Sequence, residues 1–214
     1  MSFTPSNFPR DWYWVASDGR VFASARCAIV TAADADFLAF KADGFSPSAW
    51  PADDTEEQTT ASLQAVLAPF GLAADLAVLK TTLSAAIDAE AEQQRLRYIT
   101  AGSGQAMVYL QKQTQAAIAL NAQPATAAAT ADANAAAYPL LAAEIGITVD
   151  PTTNAPATDV LGVARQVNAT VQQWMPIAAA IERARMATKA AIGAATTAEA
   201  AQAARDAVQW PAPA

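Results

Sequence analysis

From Leu76 onward, apolar side chains return at every third or fourth position: Leu76, Leu79, Leu83 and Ile87, then Ala91 and Gln94, with Asp, Glu, Gln and Lys between them. That spacing draws one packed stripe along a long amphipathic helix. Thr100-Ala101-Gly102-Ser103-Gly104 interrupts it, and Gly102 and Gly104 supply the backbone freedom for an interhelix turn. A second helix is expected from Gln105 to Asn121, packing Met107, Leu110, Thr114, Ala117 and Ile118 against the first. Ala125–Ala137, made of alanine, threonine and asparagine, predicts a thin surface helix with almost nothing large to pack. Tyr138–Gly146 reads as a short helix closed by glycine, and Thr148–Pro156 as a loop. Asp159 is placed to cap a helix carrying Val160, Leu161, Ala164, Val167, Val171 and Trp174. Pro176 is expected to break that run, with Ile177, Ile181, Ala184, Thr188 and Ile192 on a further helix. The last helix covers Ala198 to Val208.

The first seventy residues read differently. Asp11-Trp12-Tyr13-Trp14-Val15-Ala16 suits a half-buried strand, Ser17-Asp18-Gly19-Arg20 a turn, and Val21–Val30 a single return strand with Val21, Ala23, Ala25, Cys27 and Ile29 on one face. Thr31 is expected to cap a short helix with Asp34 in its first turn and Phe37, Leu38 and Phe40 as its stripe, ending at Gly44. Ser46–Asp54 reads as a turn-rich connector, and Thr55-Glu56-Glu57 as the start of a helix through Leu63, Val66 and Leu67 to Pro69. The predicted fold is therefore mainly α: a small N-terminal α/β module (1–71), a β-hairpin plus helix, followed by an alanine-rich helical bundle or helical hairpins (72–214). Sheet is expected only within residues 11–30.

Composition narrows the chemistry. Among 214 residues there is no histidine and a single cysteine. A Ser-His-Asp triad, a histidine-bearing zinc site and an internal disulfide are all excluded, and no cofactor or metal is expected. Lys+Arg 13 against Asp+Glu 20 leaves a net charge of −7, which provides no field toward phosphate backbones or anionic lipid. Nucleic acid is not an expected partner. With a mean hydropathy of +0.14 and no apolar run of about 18 residues, membrane insertion is not expected either. The N-terminal MSFTPSNFPRDW has neither a basic stretch nor an apolar core, so no signal peptide is read there.

Each candidate for chemistry has a plainer reading beside it. Gly102-Ser103-Gly104 could cradle an anion at a helix start, but no Lys-Ser/Thr follows and no strand leads in, which favours the interhelix turn. The acidic pairs Asp53/Asp54 and Glu56/Glu57 and the series Asp88/Glu90/Glu92 lie at expected helix starts or on solvated faces, not on convergent segments, so no catalytic residue is assigned. Arg95-Leu96-Arg97-Tyr98 is a basic spot placed to meet helix C-terminal carbonyls or the preceding acids. Cys27 reads as a small buried residue. Trp12, Tyr13, Trp14, Phe22 and Trp50 form the richest local cluster, and its plainer reading is the core of the sheet. One hairpin cannot hide three tryptophans on both faces by itself, so Trp12, Trp14, Phe22 and Trp50, with Arg26, are also candidate protein-interface residues.

Trp12-Tyr13-Trp14 with Ser17–Arg26, then Asp34–Phe40 and Ser46-Pro47-Ser48-Ala49-Trp50-Pro51, resembles the N-terminal module of small tail-fibre-associated proteins of tailed bacteriophages and prophages: an aromatic strand, a turn, a Ser-X-Arg strand, and a helix leading to a Trp-Pro connector. Arg95–Lys112, with its Arg-Tyr, Gly-Ser-Gly and Tyr-X-X-Lys elements, looks like the core of a helical module in such proteins, and Ile181–Ile192 through Trp210-Pro211 is similar to their ending. The resemblance implies a non-enzymatic structural protein of the virion, in the tail or tail-fibre attachment region, made in the host bacterial cytoplasm and docking on other tail or tail-fibre proteins. It also favours a homo-oligomer, a trimer above others, which agrees with helices whose alanine seams leave limited apolar area per chain. The alternatives are a tail-fibre assembly chaperone not retained in the virion, and a head decoration protein.

Overall fold

The computed structural model describes residues 11–100, 102–122 and 136–212. The thin helix expected over Ala125–Ala137 falls mostly outside them, as does most of the N-terminal dodecapeptide. The chain divides into two compact units, Met1–Glu90 with Ala184–Gln209, and Ala91–Arg183 with Trp210–Ala214. The boundary drawn from sequence at residue 71 thus lies inside the first unit.

In the first unit, β1 (Tyr13–Val15) pairs antiparallel with β2 (Val21–Ala23), Trp14 lying opposite Phe22. β2 pairs with β3 (Ala28–Val30), and β4 (Ser48–Ala49) joins β1 in parallel, giving the order β3-β2-β1-β4. The return run is two strands, not one. Asp11 accounts for the break: its carboxylate accepts from the Ser24 hydroxyl (3.1 Å) and the Ala25 N–H (2.6 Å), which holds Ser24–Cys27 in a turn. Cys27 completes that turn at φ 47°. Helix α1 (Ala35–Ala42) is capped by Asp34, which accepts the Phe37 N–H at 3.1 Å. Thr31 does not cap it; the Thr31 carbonyl takes the Asp34 N–H in a preceding turn. Phe37 and Phe40 are buried and Leu38 is exposed.

Helix α2 (Thr60–Leu67) begins later than the sequence suggests. Asp53 accepts from the Thr55 N–H, the Thr55 hydroxyl and the Glu57 N–H, and this folds Asp53–Glu57 into a turn in place of a helix start. The cap passes to Thr59, which exchanges hydrogen bonds with Ser62 in a capping box. A 3-10 turn (Ala68–Phe70) closes on Gly71 at φ 69°. Helix α3 (Leu76–Arg95) then buries Leu83, Ile87 and Ala91, as its spacing predicts.

The second unit holds α4 (Ser103–Asn121), the short α5 (Pro139–Ala142), a two-stranded hairpin of β5 (Val149–Asp150) and β6 (Ala155–Pro156), and most of α6 (Val160–Ala194). The stretch read as a loop contains that hairpin, so sheet is not confined to 11–30. Its core is small: Ala116 and Ala119 of α4 meet Leu141, Ala157, Val160, Val163 and Ala164. Asp159 caps α6 by accepting the Gly162 N–H at 2.8 Å. Asp150, buried, accepts from the Thr152 N–H (2.9 Å) and from the Arg165 fork, which ties the hairpin to α6. A Cβ on Gly162 would stand 2.8 Å from Ala157 Cβ and 3.0 Å from Asp150 Oδ2, so glycine is what allows this approach. α6 runs 35 residues straight through Pro176, where a break was expected. Proline removes one backbone donor, and the strong helix formers on both sides carry the helix across that loss.

Within the first unit, α7 (Ala198–Asp206) is capped by Thr197, which accepts the Ala200 N–H. Arg185 and Lys189 of α6 both bind the Asp88 carboxylate, at 2.6 and 2.5 Å, and Arg205 of α7 pairs with Glu90. α3 is therefore tied to the C-terminal helices, where the spacing argument had given it α4 as partner. The fold is mainly α with a small N-terminal α/β module. Among the described residues, no helix is long and apolar enough to cross a membrane.

Candidate docking surface

The aromatic cluster singled out from sequence lies in the interior. Trp12, Trp14, Phe22 and Trp50 are all buried, Trp50 with only 2% of its surface exposed, so they offer no interface in this fold. The hairpin argument left out the covering elements. Tyr13 packs against Phe37 and Phe40 of α1 with ring centroids 5.0 Å away from each, Trp12 meets Phe40 edge-on at 5.2 Å, and Leu63 and Leu67 of α2 complete the core. On the Trp14 side, Phe22 stands between Trp14 (6.1 Å) and Trp50 (6.3 Å). The polar edges of the rings are satisfied: Trp12 Nε1 donates to Ser48 Oγ (3.0 Å) and Trp50 Nε1 to the Thr59 carbonyl (2.9 Å). Arg20 lies over the Trp50 ring at 4.7 Å and donates to the Gln58 carbonyl, closing the module's turn end.

Arg26 is the one member of the predicted set that reaches the surface, and its role there is structural. Its guanidinium donates to both oxygens of Asp34 at 2.9 Å, to Asp11 at 3.2 Å and to the Tyr13 hydroxyl at 3.2 Å. The arginine raises its own pKa by that bonding, to Asp34 first, and holds the Asp34 carboxyl down at about 2, with the Phe37 N–H helping. Burial pushes the Tyr13 hydroxyl up. These bonds join the strand-turn region to the α1 cap.

Gly102 and Gly104 separate in role. Gly102 stands at φ 124° as the N-cap of α4, a conformation that L side chains rarely adopt, while Gly104 is already helical with open space around it. Only the first is required by the turn. Arg95 pairs with Glu92 (3.4 Å) and Glu182 (2.8 Å), and Arg97 donates to Gln94. The acidic series is likewise engaged in ion pairs, and no group of three or more His, Cys, Asp or Glu lies within metal-binding reach among the described residues. A cleft of about 470 Å³ opens beside Cys27, Ala73, Leu79 and Ala198. Cys27 is buried at its edge, and burial raises the thiol's pKa.

The surface that sequence reasoning missed is on α4. Met107, Leu110 and Ile118 are 68%, 62% and 54% exposed, and Thr114 and Ala117 are exposed with them. These five were expected to pack against α3. The helix is turned the other way because its opposite face carries the partners: Lys112 pairs with Glu144, Gln115 accepts the Leu140 N–H at 3.1 Å, and Ala116 and Ala119 are small enough to admit Leu141. Lys112 and Gln115 at helical spacing beside two alanines were the signal available in the sequence.

No protein-family model, curated protein or solved structure matches the chain.

Proposed function

We propose that the protein is a non-enzymatic structural component of a bacteriophage virion, in the tail or tail-fibre attachment region, working by protein–protein docking. The observation that carries the reading is the phage-like pattern over residues 12–51, whose separate parts are the ones that interlock: the aromatic strand, Phe37, Phe40 and Trp50 share one core, Ser48 bonds Trp12, and Arg26 bonds Asp34. A module bound so closely to itself suits a rigid part carried in an assembly. Its partners under this reading are other tail or tail-fibre proteins.

Mass spectrometry of purified particles tests the proposal. The chain is expected at stoichiometric level. Its absence from particles, with presence in complexes of immature fibre protein, would make it an assembly chaperone. Lysis of cell walls by the purified chain would overturn the non-enzymatic assignment.

A further inference from the structure

Between α3 and the last turns of α6, Asp88 is shared by Arg185 (2.6 Å) and Lys189 (2.5 Å). Two turns earlier on α3, the Lys80 ammonium donates to the Gly193 carbonyl at 2.8 Å. A groove of about 410 Å³ opens between these two points, lined by Lys80, Thr81, Ser84, Ala85, Asp88 and Lys189. We infer that this groove is a binding site for a phosphate-type oxyanion, held by the ammonium groups of Lys80 and Lys189 with the Ser84 hydroxyl between them. The inference goes beyond the virion reading and does not rest on it.

Charge selects the sign of the ligand. The chain as a whole carries −7, yet here Lys80, Arg185 and Lys189 stand against the single carboxylate of Asp88. Lys189 first and Arg185 next hold the Asp88 carboxyl below its usual range, so it stays ionised and its one charge is shared by two cations. Lys80 forms no ion pair among the described residues. A local excess of positive charge on an acidic chain attracts an anion and gives a cation nothing to bind. The overall charge of the chain opposes approach to an anionic lipid surface, so the source is a soluble phosphate.

Donors select its geometry. An ammonium carries three N–H groups. Lys80 uses one on Gly193, where a cation also suits the C-terminal end of α6, and Lys189 uses one on Asp88. Ser84 is half-buried and its hydroxyl has no hydrogen-bond partner among the described residues, whereas the neighbouring Thr81 hydroxyl donates to the Ala77 carbonyl at 3.0 Å. Ser84 stands one helical turn, about 6 Å, from Lys80 on one side and from Asp88 on the other. The remaining lysine N–H groups and this hydroxyl therefore face one groove from both ends and the middle. A carboxylate offers two oxygens in one plane and a single charge. A phosphate offers three outer oxygens and close to two charges, which matches both the spread of donors and the local excess.

The experiment titrates the full-length protein with inorganic phosphate at about pH 7.5 by isothermal calorimetry and thermal melts, chloride being exchanged for phosphate at constant ionic strength. A saturable heat and a melting temperature that rises with phosphate are expected, with acetate binding at least about tenfold more weakly. Lys80→Gln is expected to weaken phosphate about tenfold and Ser84→Ala about threefold. Ser84 has no bond to lose, so its variant keeps the fold and tests the site even if Lys80→Gln does not fold. Arg183→Gln removes the same charge from α6 outside the groove and is expected to leave the affinity within about twofold. Vesicles of phosphatidic acid are expected not to sediment the protein. The inference is overturned by the absence of any heat up to about 50 mM phosphate, or by an affinity unchanged in the groove variants. It is equally overturned if Arg183→Gln loses as much as Lys80→Gln, which would leave only a general field of charge, or if vesicles bind and free phosphate does not.

Discussion

In the N-terminal module the largest side chains are the deepest, and on α4 they are the most exposed. Trp12, Trp50, Tyr13 and Phe22 are fully buried, while Met107 and Leu110 face out and alanines form the inner contact. Both stretches are apolar enough to make a core, since burying one large side chain stabilises by about 1.5–3 kcal/mol. The difference lies in the polar groups alongside. In the module, the polar edges of three rings find bonds: Ser48 for Trp12, Thr59 for Trp50, Arg26 for Tyr13. On α4 the groups that need partners, Lys112 and Gln115, share a face with Ala116 and Ala119, and satisfying them turns the apolar stripe outward. Apolar area alone does not choose which face goes inside when a polar neighbour has only one place to bond.

The contrast can be broken most directly at Trp50. Trp50→Ala is expected to cost about 3–5 kcal/mol, through the cavity it leaves beside Phe22, read as a shift of the urea midpoint followed by far-UV circular dichroism. A cost under about 1 kcal/mol would show that the module's rings are not its core. At the start of α4, Gly102→Ala is expected to lose about 1–3 kcal/mol because a side chain there is strained at φ 124°. Gly104→Ala is expected to be neutral or to gain up to about 1 kcal/mol, since its site is helical and open. Equal effects at the two positions would contradict the assigned turn.

The module should also respond to acid. Asp34 ionises at about 2 in the fold against an ordinary 3.8, so the unfolded chain binds the proton more readily and stability rises with pH through this range. The Arg26–Asp34 contribution is therefore present above about pH 4–5 and is lost as the pH falls toward 2. In Asp34→Asn the part of the acid limb that depends on this group is expected to flatten in thermal melts run from pH 5 to 2; an unchanged slope would show that the pair does not couple to folding. The smallest effect is expected at Met107→Ala, below about 0.5 kcal/mol when measured at nanomolar concentration, where chains are apart. A larger loss would mean that the outer stripe packs within the chain after all.

Element type was legible where it depended on local pattern. The helix at Leu76–Arg95 with its buried Leu83, Ile87 and Ala91 followed from spacing, and the cap at Asp159 followed from residue type at a helix start. Boundaries were misread where an acidic side chain bonded backbone. Asp11 divided the return strand at Ser24–Cys27 from across the hairpin, and Asp53 delayed α2 to Thr60 by bonding Thr55 and Glu57. The first bond depends on where the chain has already been brought, the second is local, and neither shows in hydrophobic periodicity. Four of the five candidate interface residues are interior for a related reason: Trp12, Trp14, Phe22 and Trp50 looked like too much aromatic surface for a hairpin until α1, α2 and β4 were placed around them.

By itself the sequence determined that the chain is mainly helical beyond its N-terminal module, that histidine chemistry is impossible, and that Asp159 caps its helix, because each depends on composition or on neighbours within a turn or two. Only the tertiary structure decided which stripe of α4 faces inward and which helices α3 is tied to. Those outcomes are set by the partners that distant groups supply: Glu144 for Lys112, and Arg185 and Lys189 for Asp88. Spacing along a chain reports which residues share a face, but the free energy that turns a face in or out belongs to contacts between residues far apart in sequence.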